Sequence, residues 1–298
     1  MSEQYKRKRG DRRDGRRITD GDSMHNFTPY LLPNRTDNEA VAVEKIDLTQ
    51  ATAYIDAKNR ENPEFKYTLF HFITAAFAKV ITLRPKMNRF IIGRRTYERN
   101  EISFAFVVKK KFTDDGREAL AILRTDRDSD EPIIKQIHDK ICKFVYGVRK
   151  EDKSDGSTDV MDIITKFPRW LLQLFTNIIF RLDFHGHLPQ ALSDVDPYAC
   201  TMFISNLGSI KMSASYHHLT NWGTNSIFLV IGEKHKEPFF EDDGSYEMRD
   251  SLNLGITIDE RIADGVYFAK SIRLVKYIFA HPELLDAPAL EPIDMKDI

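Results

Sequence analysis

The stretch Leu254–Val266, L-G-I-T-I-D-E-R-I-A-D-G-V, constrains the fold more than any other part of the chain. It opens with apolar and small residues in alternation, the period of a buried strand. After Asp264-Gly265 the period changes: Val266, Phe268, Ala269, Ile272, Val275, Ile278 and Phe279 recur at helical spacing. A strand therefore runs into a tight turn, and the turn opens a long amphipathic helix. Asp264 can cap that helix by accepting from its free backbone N–H groups.

The rest of the chain supplies partners for that unit. Val41–Leu48 alternates as a strand, and Thr49 can cap a helix running to about Arg60. A strong helix is expected over Thr68–Leu83, with Leu69, Phe72, Ile73, Ala76, Phe77 and Val80 on one apolar face and Arg84-Pro85 as its stop. Phe90 to Tyr97 reads as a hairpin around Gly93, followed by a strand over 102–112, a turn at Thr113-Asp114-Asp115-Gly116 and a strand over 119–124. Helical spacing returns over 132–148, then comes a charged linker over 150–158 and a second helical block over 159–182, bent at Pro168. Strands are expected over 200–205 and 226–232. Asp242-Asp243-Gly244 marks a hairpin turn, and a strand pair is expected over 246–259. No period repeats and no glycine-rich phosphate loop occurs. The fold class is α/β: a large mixed sheet with helices packed against it.

Residues 1–22 hold eight basic and five acidic side chains without an apolar period, which reads as a solvated tail. Residues 23–40 read as an extended arm whose Phe27, Tyr30, Leu31 and Leu32 pack on the body or on a neighbour, with Pro29 and Pro33 excluding regular helix. The folded body spans 41–285, and 286–298 is a C-terminal tail. A net charge of −1 offers no field for nucleic acid. The two cysteines, Cys142 and Cys200, read as reduced buried thiols, placing the protein in the cytoplasm. Phe167–Leu182 is the most apolar segment, but it is interrupted by polar residues and is shorter than a membrane span, so it reads as a buried or interface helix.

Three groups of residues, in order, carry a family resemblance. The first is Val43-Glu44-Lys45-Ile46-Asp47-Leu48-Thr49 with Pro85-x-x-Asn88. The second is Phe203-Ile204-Ser205-Asn206-Leu207-Gly208, and the third is Glu260-Arg261-Ile262-Ala263-Asp264-Gly265, 55 positions beyond Ser205. The chain resembles the chloramphenicol acetyltransferase superfamily, and within it the catalytic domain of the 2-oxoacid dehydrogenase dihydrolipoyl acyltransferases. The second group is similar to that family's T-I-S-N-L-G, and the third to its H-R-x-x-D-G. The resemblance implies a coenzyme A-dependent acyltransferase fold: a two-layer sandwich forming a homotrimer, with a channel between subunits. In that channel acyl-coenzyme A meets a small-molecule acceptor. It also implies that Ser205 hydrogen-bonds the oxyanion, that Glu260 stands at the position of the general base, and that Asp264 is a structural charge partner.

Two departures matter. Glu260 replaces the motif histidine, and an ordinary glutamate, with a pKa of about 4.3, is the weaker base at neutral pH unless burial raises it. The alternative for Glu260 is a turn residue paired with Arg261 or another cation. His217 and His218, in the loop after the Ser205 strand, are candidate replacement bases, with His185 and His187 behind them; all four could equally be exposed loop histidines. Ser205 could instead bond its own backbone. The second departure is Asp47-Leu48-Thr49-Gln50-Ala51-Thr52-Ala53, which lacks the tryptophan and arginine of the antibiotic-acetylating branch. Residues 1–40 are too few for a lipoyl domain, so no lipoyl group is expected on this chain, and no spacing suggests a metal. Two functions follow: acyl transfer from acyl-coenzyme A to a thiol or hydroxyl, or a catalytically inactive relative that binds coenzyme A or serves as a trimeric scaffold.

Overall fold

The structure, a computed structural model, describes residues 7–19, 21, 23–109, 118–150 and 164–294. The expected turn at 113–116, nearly all of the charged linker over 150–158 and the start of the helical block at 159 lie outside the described residues.

The expected α/β sandwich is what forms. The strands are β1 (Gly15–Arg17), β2 (Glu39–Asp47), β3 (Arg89–Ile92), β4 (Arg95–Arg99), β5 (Ile102–Lys109), β6 (Glu118–Thr125), β7 (Met202–Asn206), β8 (Ile227–Ile231), β9 (His235–Phe240) and β10 (Tyr246–Asp259). The helices are α1 (Ser23–Leu31), α2 (Thr49–Arg60), α3 (Leu69–Leu83), α4 (Ile133–Lys150), α5 (Arg169–Phe184), α6 (Gln190–Ser193) and α7 (Gly265–Ala280). Seven strands pair in the order β2-β10-β8-β7-β5-β6, with β9 added to β10; β5, β7 and β8 run parallel and the other pairs antiparallel. A small sheet, β1-β4-β3, stands apart.

β10 is one continuous strand rather than the expected pair. It bonds β9 over its first half and β2 and β8 over its second. Its Leu252, Leu254, Ile256 and Ile258 all point into the main core, while Thr257 and Asp259 are buried on the opposite face. The helix layer covers only one face of the sheet. There α3 is buried all round from His71 to Thr82, not along one stripe, because α2, α4 and α7 enclose it against β5. In α7 the buried face is Ser271, Leu274, Val275, Ile278 and Phe279; the first turn points outward and leaves Val266 exposed.

Three expectations are corrected. The basic tail is ordered over 7–19: β1 pairs β4, and Arg12 is buried, donating to the Asp183 carbonyl at 2.6 Å and to its carboxylate at 2.8 Å. Residues 23–31 form a helix despite Pro29, which removes one backbone bond in a short helix and is itself buried; Pro33 falls beyond the helix end, where it is compatible. Phe27, Tyr30, Leu31 and Leu32 are exposed in the single chain. Thr49 does not cap α2; Asp47 does the local work, accepting from the Thr49 backbone N–H at 2.8 Å and from its hydroxyl at 2.6 Å. The segment read as a buried or interface helix is α5, in which Asp183 is the one buried residue.

At the end of β10, fully buried Asp259 accepts from Nε and Nη2 of buried Arg261, at 2.8 and 2.7 Å, and lies 3.7 Å from buried Arg35. Arg261 also donates to the carbonyls of Leu32 and Pro33, and Arg35 to those of Thr220, Gly223 and Ile91. One carboxylate thus ties the motif turn, the N-terminal segment and the 220–223 loop together. Removing it leaves two buried cations without their counter-ion. Asp259→Ala is expected to cost about 3–5 kcal/mol of stability, read as a lower denaturant midpoint, while Arg16→Ala on an exposed pair should shift it by less than about 1 kcal/mol.

The start of α3 gives a pH signature. The Thr68 N–H donates to Nδ1 of His71 at 3.1 Å, and burial, helped by neighbouring His138, pushes His71 down to about 4. The unfolded chain therefore binds the extra proton between about pH 6.5 and 4, so this contribution is present above pH 6.5 and is lost on acidification through that window. His71→Gln keeps the cap acceptor and removes the titration. Over that window wild type should lose on the order of 3 kcal/mol more than the variant, measured by chemical denaturation at stepped pH.

Candidate active site

The uncovered face of the sheet is where the serine lies. In β7, Met202 and Ile204 point into the main core, and Phe203 and Ser205 point the other way. Ser205 pairs with Val230 of β8, and Phe203 with Phe228. The half-buried Ser205 makes no hydrogen bond among the described residues, so it does not bond its own backbone. The Asn-Leu-Gly that follows is a turn: Asn206 accepts from the Ser209 N–H at 3.3 Å, and a Cβ on Gly208 would come within 2.6 Å of the Gly232 carbonyl. That turn ends the strand at Ser205 and leaves its hydroxyl uncommitted.

A loop from Met212 to Trp222 crosses the same face. It lies so close that a Cβ on Gly255 would meet the Ser215 carbonyl at 2.2 Å. The loop lays the His217 ring flat on Phe228, with centroids 3.9 Å apart and planes within 5°. Tyr198, Phe203, Phe228 and His217 then form a row of stacked rings. Since Phe228 and Val230 are neighbours on one side of a strand, the His217 ring lies about 7 Å along the strand from the row of Ser205. His217 Nδ1 is 2.9 Å from the His218 carbonyl, and His218 Nδ1 is 2.8 Å from that of Leu219. A carbonyl can only accept, so each Nδ1 carries the proton and each Nε2 presents a lone pair. Both rings are exposed.

Glu260 is elsewhere. Val230 pairs with Ser205 on one side and with Gly255 on the other, and Glu260 lies five residues beyond Gly255. That is roughly 17 Å along the sheet, so one chain does not bring Glu260 to Ser205. Glu260 is exposed at the start of a single turn, Glu260–Ile262, and the partner of Arg261 is Asp259, not Glu260. Asp264 is also exposed. Its carboxylate accepts from the Tyr267 N–H at 2.9 Å, which holds its pKa below the usual carboxylate value, and Lys86 stands 3.8 Å away. His185 and His187 follow the end of α5; His185 packs edge-on against Phe184, and the Gly186 between them lies against Arg12.

A cavity of about 950 Å³ opens between α4 and β6 and is lined by Phe65, Phe106, Arg124, Lys140, Cys142 and Tyr146 among others. Phe106 belongs to the helix-covered face, so this cavity lies across the sheet from Ser205. Beside the cavity, Cys142 Sγ is 3.5 Å from Nε2 of His138, but that nitrogen is 2.9 Å from the Phe65 carbonyl and burial pushes the thiol up to about 11, so the thiolate is disfavoured. Both cysteines are free, and no cluster of three metal-ligating side chains occurs among the described residues.

Asp196 carried no signal in the sequence. Burial raises its carboxyl to about 6 while it accepts from the Tyr198 N–H at 2.9 Å and the Trp222 indole at 2.6 Å. It pins the far end of the ring row to the end of the histidine loop. Arg35 and Asp259 were likewise missed, although a charged residue inside the run I-T-I-D is the visible trace of a buried ion pair.

Comparison with known proteins finds the same fold and a family resemblance. Residues 190–286 match the family model of the 2-oxoacid dehydrogenases acyltransferase (catalytic domain), a span that holds Ser205, His217, Glu260 and Asp264. The similarity to those acyltransferases is distant. The chain is 23% identical over 237 residues to the lipoamide acyltransferase component of the branched-chain alpha-keto acid dehydrogenase complex of Bacillus subtilis; that alignment covers 78% of this chain and 45% of the relative's length. Its fold matches a probable dihydrolipoamide acetyltransferase from Listeria monocytogenes at a TM-score of 0.57 and 17% identity, over 90% of this chain and 95% of that one. A chloramphenicol acetyltransferase matches at 0.50 and 11% identity, over 89% and 99%.

Asp264→Ala should cost about 1 kcal/mol through the lost cap of α7. Lys86→Ala should cost a few tenths at most, because that pair is half-exposed and long. Thermal melts of the two variants test whether the motif aspartate acts as a cap or as an ion-pair partner.

Proposed function

We propose that the chain transfers an acyl group from acyl-coenzyme A to a small thiol or hydroxyl acceptor, on the sheet face that carries Ser205 and His217. One observation carries the reading: an uncommitted serine hydroxyl and a histidine with its Nε2 lone pair directed away from its own backbone share an apolar face of stacked rings. His217 Nε2 takes the proton of the acceptor as the acceptor attacks the thioester carbonyl. The Ser205 hydroxyl donates to the oxyanion of the tetrahedral intermediate, and collapse expels the coenzyme A thiolate, which recovers the proton from His217. Transfer is direct, and no bond to the enzyme forms. Glu260 stands far from Ser205 along the sheet, whereas His217 lies on the same face as that serine, and an imidazole is a competent general base. The ring row offers the apolar part of the acyl group a floor.

The homotrimer belongs to the same proposal. Ser205 and the Glu260–Asp264 turn lie at opposite ends of one sheet, so the motif turn meets a Ser205 site only from a neighbouring subunit, and the Ser205–His217 pair does not depend on it. The exposed apolar residues of α1 and the outer face of β2 are surfaces available for that contact. The free thiols fit a reducing cytoplasm. A second reading, a coenzyme A-binding or scaffold protein without catalysis, is favoured by one observation: the residue at the motif-histidine position is an exposed glutamate.

Purified protein with acetyl-coenzyme A and a panel of thiol and hydroxyl acceptors should release free coenzyme A thiol. Ser205→Ala should slow release by about 10²–10³-fold. His217→Ala should slow it by about 10²–10⁴-fold, with His218→Ala as the control for the loop. Glu260→His should leave the rate unchanged; a gain there would move the base to position 260 and away from His217. Silence of the wild type with coenzyme A binding seen by calorimetry would favour the scaffold reading.

A further inference from the structure

The described molecule has one helix that its fold does not explain. In α5 nearly every side chain faces solvent, although the sequence is R-W-L-L-Q-L-F-T-N-I-I-F-R-L-D-F. Trp170, Leu174 and Ile178, each four residues apart, form an apolar stripe, with Phe167 just before the helix; Trp170 is 70% exposed and the others about half. A stripe of this size is costly to leave in water, and bulky aromatic and aliphatic side chains on a solvent-facing helix mark a contact surface.

The charges around it have one sign. Between Ile164 and Leu182 the charged residues are Lys166, Arg169 and Arg181, all exposed. The one acid of the helix, Asp183, is buried against Arg12. That ion pair draws the basic N-terminal segment to the end of α5. The β3–β4 turn arrives there too, since a Cβ on Gly93 would lie 2.4 Å from the Phe184 carbonyl, and it adds exposed Arg94 and Arg95. Arg94 in turn stands over Tyr30 of α1, 5.7 Å from its ring. Although the whole chain is nearly neutral, this end combines an apolar stripe with a basic surround.

We infer that α5 is an in-plane anchor that docks this end of the protein on an anionic lipid surface. With 16 residues the helix is about 24 Å long, and none among the described residues is long and apolar enough to cross a membrane. It lies along the surface, with the stripe among acyl chains, Trp170 at the interface and the arginines at the headgroups. Charge decides against the other occupants. A second copy docked by a two-fold axis would set this basic surround against itself, and the trimer contact proposed above is placed on α1 and β2, not on α5. Nucleic acid would satisfy the arginines but leave the Leu174 and Ile178 stripe without an apolar partner.

Co-sedimentation of the full chain with two vesicle types tests this: phosphatidylcholine alone, and phosphatidylcholine mixed with phosphatidylglycerol. The protein should pellet with the anionic vesicles only, less so as salt is raised. The triple variant Trp170→Gln, Leu174→Gln, Ile178→Gln alters exposed positions, so its melting temperature and light-scattering mass should match wild type while its vesicle affinity falls about tenfold or more. Arg169→Glu with Arg181→Glu should lower affinity similarly. The proposal is overturned if wild type stays in the supernatant with anionic vesicles, or if the triple variant pellets as wild type does. It is also overturned if the triple variant lowers the mass in solution, which would assign the stripe to a second copy of the chain. None of these readouts depends on acyl transfer.

Discussion

Asp259 holds the structure's most consequential interaction. It sits fully buried at the end of the longest strand, and a carboxylate there is tolerable only because Arg261 binds both its oxygens and Arg35 stands behind. Burial pulls the Arg35 guanidinium below its ordinary pKa, and the Asp259 charge opposes that. Because Arg261 reaches the carbonyls of Leu32 and Pro33 and Arg35 reaches the 220–223 loop, three segments distant in sequence take their positions from one ion-pair network. The histidine loop ends on that framework. The turn carrying Glu260 and Asp264 begins on it.

The network also changes the meaning of the motif Glu260-Arg261-Ile262-Ala263-Asp264-Gly265. Arg261 is a structural cation, Ile262 and Ala263 fill the core, and Asp264 caps α7. Glu260 is the one exposed side chain of its turn and has no part in holding it together. A change at position 260 therefore leaves the architecture untouched. The chemistry is then free to be supplied from elsewhere, and the Ser205 face already holds a histidine stacked on Phe228.

The two ends of the molecule divide the labour. Helices α2, α3, α4 and α7 cover one face of the sheet and make the core, while the opposite face carries the ring row, Ser205 and the histidine loop. The basic small sheet, α1 and α5 gather at one end, tied on by Arg12 and Asp183. The N-terminal segment, basic and without an apolar period, gains order through that buried pair and through β1 pairing with β4, neither of which a period can reveal.

By itself the sequence determined the elements whose cause is local. The change of period at Asp264, the hairpin at Gly93, the helix ending at Arg84-Pro85 and the mixed sheet follow from side-chain spacing, turn chemistry and proline geometry. Ser205 and the motif turn stand out through the family resemblance and not through spacing or turn chemistry. Tertiary structure alone decided everything that depends on what faces what: that α3 is buried all round, that α5 is exposed, and that Asp259 rather than Glu260 pairs with Arg261. It also placed His217 on the Ser205 face and Glu260 at the far end of the sheet. Spacing fixes which side of an element is apolar; which other element covers that side, or leaves it open, is settled by long-range packing that no local period encodes.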